Sequence, residues 1–233
     1  MTEPETTYVL LAAVQDELAP TINRLKLTAA SGEYGGRVGS TNVIARITGV
    51  GATRAGMALD ELIDRHKPQR VIHTGFAGAL DPDLGPGDII NVGFVTDESG
   101  QVISLVGDST ERSPRQTVLT LGRIADTVQV KRQLFETHRA AAVDMETFHV
   151  ARACAEQGIA YTAVRAISDT ADMALPAQAI EWVKPDGTPD MAKAMSFVAT
   201  RPWLMPSMMK LQSHAKMAAS RLADRLEQMI GDA

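Results

Sequence analysis

The sequence has a single cysteine, no membrane-length apolar run and no surplus of basic charge, and each shortage removes a class of protein. Cys154 stands alone among 233 residues, so no intrachain disulfide and no thiolate zinc site can form, and a reducing, cytoplasmic setting is expected. Lys and Arg number 23 against 28 Asp and Glu, for a formal charge of −5 and a pI near 5.5. The basic residues are scattered among acids instead of clustered as phosphate neutralisation requires, which argues against a nucleic-acid partner and for a small molecule. The apolar run Tyr8 to Val14 is too short to span a bilayer and follows Glu3 and Glu5, so it reads as a core strand and not as a signal peptide or stable membrane anchor. Internal repeats, low-complexity tracts and a Gly-Lys-Ser/Thr phosphate loop are also missing.

What is present alternates between strand and helix. Residues 1–233 are enough for one α/β domain with a sizeable core. Tyr8 to Val14 stops abruptly at Gln15-Asp16-Glu17, which places Glu17 in a strand-to-helix loop. Val38 to Ile47 reads as further strand, followed by Thr48-Gly49-Val50-Gly51 and a helix over about Arg54 to His66 that Pro68 ends. Val71 to Thr74 runs as a strand into Gly75-Phe76-Ala77-Gly78, and Gly85 to Asp88 turns into the strand Ile89 to Val92. A polar loop is expected over 97–114, a short helix over Lys131 to His138, a helix from Thr147 to Gly158 and a buried strand from Tyr161 to Ile167. Leu175-Pro176 and the turn Lys184 to Pro189 precede a last helix from about Pro206 to Ile230. The pattern predicts a central, mostly parallel mixed sheet flanked by helices, with ligands beyond the carboxyl ends of the strands.

Several carboxylates fall at those ends. Each has a plainer reading: Glu17 and Glu146 can simply favour a helix N-terminus, Asp144 can cap one, and Asp169 can cap a turn. The glycine pairs can be tight turns or backbone cradles for a ligand. Convergence raises the functional reading, because several acids at one rim repel one another unless a ligand or proton is shared. His73, on an apolar strand, reads as a satisfied core histidine, and Met205, Met208, Met209, Met217 and Met229 read as a helix-packing surface in preference to a lipid-binding groove.

Taken together, Ala12 to Glu17, Thr48 to Gly51, His73 to Gly78, Gly87-Asp88, Val143-Asp-Met-Glu146 and Arg165-Ala-Ile-Ser-Asp169 resemble the nucleoside phosphorylase and nucleosidase superfamily, and within it the methylthioadenosine/S-adenosylhomocysteine nucleosidases. The resemblance runs to about Asp172; its specific motifs are those at Val143 and Arg165. It implies a nucleoside phosphorylase-like fold, a homodimer, and no metal or organic cofactor. Glu17 would activate water, Asp169 would protonate the purine at N7 with Ser168 holding it, and Glu146 would accept from ribose hydroxyls. Met145 would pack on the sugar beside Asp144, and Phe76, Ala77, Gly78 and Gly51 would line the substrate. For this role the carboxyl of Asp169 must bind a proton near neutral pH, which burial beside apolar groups and another acid could achieve.

Two alternatives stay open. Phosphorylases of the superfamily surround phosphate with arginines and hydroxyls; Phe76 stands where a serine is common, which favours water, while Arg54 could serve phosphate. The tail, with Lys184-Pro-Asp-Gly187, Arg201-Pro202 and the methionine-bearing helix, resembles the hopanoid-biosynthesis relatives that act on a lipid-linked adenosine. From another class, a non-catalytic nucleoside sensor would keep the glycine loops and Glu146 but needs neither Glu17 nor Asp169.

Overall fold

The first strand shows why the chain layers as it does. β1 (Thr6–Ala12) is apolar at consecutive positions because both its faces are covered: Val9 and Leu11 point into one core cluster, Leu10 and Ala12 into another, as the two-residue period of a strand requires. The computed structural model describes residues 6–105, 115–176, 181–184, 187–188 and 190–231. After β1 come α1 (Gln15–Leu25), β2 (Thr28–Ala30), β3 (Glu33–Val38), β4 (Thr41–Ile47), α2 (Ala52–His66), β5 (Arg70–Ala79), β6 (Ile89–Thr96), β7 (Val102–Ser104) and β8 (Gln116–Thr120). The second half supplies α3 (Val128–His138), β9 (Ala142–Asp144), α4 (Thr147–Glu156), β10 (Ala160–Asp169), α5 (Met191–Ala199) and α6 (Met205–Gly231).

One mixed sheet holds the strands. β4, β1, β5 and β10 run parallel to their neighbours, while β3, β9 and β6 join them antiparallel. β5, β10, β6, β8 and β9 pair in a closed ring, so one half of the sheet curls into a small barrel and the other extends through β1, β4, β3 and β2. Leu59, Leu62, Phe148 and Ala151 of α2 and α4 cover one face. Leu18 and Ile22 of α1, with Leu222, Leu226 and Ile230 of α6, cover the other.

Several local expectations change. Val38 to Ile47 is a hairpin and not one strand, because Gly39, at φ +58°, turns the chain between β3 and β4; glycine occupies this left-handed region without a Cβ penalty. The loop expected over 97–114 contains β7, and its 106–114 part lies outside the described residues. Of the turn from Lys184, Pro185, Asp186 and Pro189 also lie outside them. α5 was not foreseen. Of the α6 methionines, Met205, Met209 and Met217 are exposed and do not form its packing surface, while Met229 packs beside Ala218, Leu222, Leu226 and Ile230, which make most of the contact.

Leu222 is fully buried in the cluster that fastens α6 to the sheet. Leu222→Ala should therefore cost about 2–5 kcal/mol in urea unfolding, and a loss below about 1 kcal/mol would show that α6 is not packed there.

Candidate active site

Acids from distant parts of the chain meet around the carboxyl end of β5. Glu17, in the first turn of α1, folds back on the loop before it: its Oε2 accepts from the N–H groups of Ala13 at 2.8 Å and Val14 at 3.0 Å. Its Oε1 accepts from the Phe76 N–H of β5 at 2.7 Å. Glu17 thus serves as a helix-capping residue and also reaches the strand end. Burial raises its pKa above the ordinary carboxylate value, against the downward pull of those N–H groups and of the Arg165 charge, and a raised pKa makes its carboxylate a stronger base.

Asp169 ends β10. The β5–β10 register slips between Ile167 and Asp169, so Ser168 is the extra residue of a bulge, a device that re-aims a side chain at a strand end. The Gly87-Asp88 turn stitches the strand there, with Gly87 N–H donating to Ile167 O at 2.8 Å and Ile167 N–H to Asp88 O at 3.0 Å. Ser168 Oγ donates to Asp169 Oδ1 at 2.7 Å and lies 3.5 Å from the Ala77 carbonyl. Lys131 of α3 donates to Asp169 Oδ2 at 2.5 Å and to the carbonyls of Thr170 and Met173 at 2.8 and 2.9 Å. The expected acidic neighbour of Asp169 is therefore replaced by a fully buried ammonium, delivered by a helix 38 residues upstream.

Glu146 immediately precedes α4 and accepts from the Gly51 N–H at 2.7 Å. Burial, then the Asp144 charge, push its pKa up to about 8. Asp144 is not the N-cap residue of α4, a position that Glu146 takes, although it receives the first N–H of that helix. It accepts from Arg165 Nε at 2.8 Å, from Thr120 Oγ1 at 2.7 Å, and from the backbone and hydroxyl of Thr147. With those partners it anchors the site; its carboxylate is already occupied by protein groups. Arg165 continues to the His73 carbonyl at 3.0 Å and to Thr147 Oγ1 at 2.6 Å. His73 is buried, 3.1 Å from the Tyr161 hydroxyl; burial and the Arg165 charge hold its pKa well below the usual imidazole value, so it is neutral.

The glycines of β5 make room for carboxylates. A Cβ on Gly75 would stand 2.9 Å from Glu17 Oε1, and one on Gly78 would stand 2.8 Å from Asp169 Oδ2. A cavity of about 130 Å³ opens beside Asp169, lined by Gly78, Arg123, Val143, Met145 and Leu175. Phe76 is not part of that lining: its ring packs against the cluster that α6 covers, and only its N–H turns to Glu17. Among the described residues, no group of three or more His, Cys, Asp or Glu converges as metal ligands do.

Lys131, Arg165 and Gly75 meet the buried acids of this rim without having a role assigned from sequence. Arg165 carried a signal, since an arginine inside a buried strand must find a charged partner. Lys131 carried none, because a lysine in a polar helical stretch ordinarily faces water.

The fold and this rim define an α/β protein whose buried acids gather at the carboxyl ends of its strands, beside a small cavity at Asp169. The chain belongs to the phosphorylase superfamily, whose sequence profile matches residues 7–100 and 106–198. It is similar to a 5′-methylthioadenosine/S-adenosylhomocysteine nucleosidase of an Exiguobacterium species, 29% identical over 168 residues that make up 60% of this chain and 72% of the relative. Its fold is similar to that of the Helicobacter pylori 5′-methylthioadenosine/S-adenosylhomocysteine nucleosidase, with a TM-score of 0.75 at 17% identity over 99% of this chain and 100% of the other. The futalosine hydrolase of the same organism matches almost as well, at a TM-score of 0.74 and 17% identity over 98% and 99% of the two chains.

The raised pKa of Glu146 fixes the sign of a pH effect. Between its ordinary value of 4.5 and about 8 the folded protein holds a proton that the unfolded chain releases, so stability is highest below that window and is lost as pH rises through it. Glu146→Gln keeps an acceptor for Gly51 and removes the titration. Thermal midpoints measured near pH 5 and pH 8.5 should fall less in the variant than in the wild type; equal losses would contradict the assignment.

Proposed function

We propose that the protein is a nucleosidase that hydrolyses the N-glycosidic bond of a 5′-modified adenosine to adenine and the 5′-substituted ribose. The carrying observation is the pair Glu17 and Asp169, two buried acids abutting β5 at Gly75 and Gly78. Those positions are three residues apart, about 10 Å along a strand at 3.3 Å per residue. An acid and a base held at separate points of one strand can serve the leaving group and the attacking water respectively.

Adenine leaves poorly as an anion, so the first requirement is a proton at N7. In this reading it comes from the Asp169–Lys131 pair, which holds one transferable proton across the 2.5 Å contact with Oδ2: Asp169 relays that proton to N7 and the pair is left one proton short. The electrons of the C1′–N9 bond move onto the now neutral purine as positive charge grows on the ribosyl carbon. Water adds to that carbon and Glu17 takes its proton, while solvent returns the proton to the pair. Glu146, fixed by Gly51, accepts from the ribose hydroxyls, and Met145 packs against the sugar. The resemblance to 5′-methylthioadenosine/S-adenosylhomocysteine nucleosidases supports adenine as the base and a thioether-type 5′-group. A homodimer in the cytoplasm completes the proposal.

Phosphate is the competing acceptor. Against it, the buried arginine of the site is occupied by Asp144, Thr147 and backbone carbonyls, leaving no donor of Arg165 aimed at an anion. A sensor would have no use for a base at Glu17 with a raised pKa.

Incubated with 5′-methylthioadenosine, S-adenosylhomocysteine and 5′-deoxyadenosine in phosphate-free buffer, the protein should release adenine from at least one. Asp169→Asn should lower that turnover by about 10² to 10⁴ while sparing ligand binding. Wild-type rates in the variant would remove Asp169 from the chemistry, and no adenine from any of the three would contradict the proposed substrate class.

A further inference from the structure

From 191 to 223 the chain contains no Asp or Glu, although the whole molecule carries a formal charge of −5. Lys193, Arg201, Lys210, Lys216 and Arg221 within that stretch are all exposed. The same stretch holds most of the large apolar side chains left in water: Trp203 is 70% exposed, Met195 67%, Met209 65% and Met205 49%. Single exposed apolar residues are ordinary on a soluble surface, but their concentration in one segment marks an interaction site.

The segment is structured. The Phe197 ring of α5 packs at a tilt, 5.0 Å from the Trp182 ring, and lies 4.3 Å from the Arg201 guanidinium. A 3-10 turn, Pro202–Leu204, then joins α5 to α6 and presents Trp203. Met205 and Met209, four residues apart in α6, lie on one helix face.

Charge and composition together select the partner. A protein interface core is depleted in lysine, whereas here Lys193, Arg201 and Lys210 are interleaved with the apolar groups. That mixture suits a lipid surface, where indole and thioether groups enter the headgroup boundary while long basic side chains extend to anionic phosphates. We propose that the junction of α5 and α6 docks reversibly on bilayers bearing anionic headgroups. No helix among the described residues is long and apolar enough to cross a membrane, so the attachment is peripheral. The segment before α5 reaches the loop that Glu17 caps, where Gln15 N–H donates to the Gly187 carbonyl at 3.1 Å.

The test is co-sedimentation of the intact protein with phosphatidylglycerol-containing vesicles and with pure phosphatidylcholine vesicles. Binding should appear with the anionic vesicles alone, weaken as salt is raised, and fall at least about tenfold in a Trp203→Ser, Met209→Ser double variant whose circular dichroism and adenine release in solution are unchanged. In a Trp182→Phe protein, the fluorescence of Trp203 should shift to the blue when those vesicles are added. The proposal fails if neither vesicle binds, if neutral vesicles bind equally, if the double variant binds as the wild type does, or if Trp203 fluorescence does not move. It also fails if the same variant instead breaks a wild-type dimer without any vesicle binding, because the face would then belong to a second copy of the chain.

Discussion

Everything at the active-site rim depends on a guanidinium that sees almost no water. Arg165 is 1% exposed and pairs with Asp144, itself 6% exposed, through a 2.8 Å contact. Its remaining donors go to the His73 carbonyl of β5 and to Thr147 at the start of α4. One side chain thus ties β10, β5, β9 and α4 at the point where they deliver their acids. Removing one partner of such a pair leaves an uncompensated buried charge, at a cost of about 3–5 kcal/mol.

The charges divide in an instructive way. Four acids, Glu17, Asp144, Glu146 and Asp169, and two cations, Lys131 and Arg165, are buried together. Asp144 and Asp169 take the cations in direct contact. Glu17 and Glu146 are held by backbone N–H groups instead, and these are the two acids whose pKa values burial raises. Buried acids of the same kind thus fall into two electrostatic settings, two anchored by cations and two held by backbone N–H groups with raised pKa values.

Much of this was legible in the sequence, for physical reasons. β1, β10 and α6 declared themselves through apolar pattern, and Glu17, Glu146 and Asp169 stood out as acids at strand ends. Less visible was whatever depends on pairing between distant segments. β2 and β3 are short and largely exposed or only partly buried, so no apolar period marks them. Gly75 and Gly78 looked like a ligand cradle, since nothing local shows that the carboxylates of Glu17 and Asp169 press against them. Phe76 suggested a residue lining the substrate, yet its ring packs against the cluster on the α6 side of the sheet. Lys131 becomes meaningful only when α3 brings it to β10.

The account rests on water as the nucleophile at a site whose buried arginine is already engaged. The direct test is to identify the sugar product when the purified protein turns over 5′-methylthioadenosine in phosphate buffer, followed by proton and phosphorus NMR. Free 5-methylthioribose with no phosphorus-bearing sugar is the predicted result. Formation of a ribose 1-phosphate would contradict it and show that the pocket admits phosphate after all.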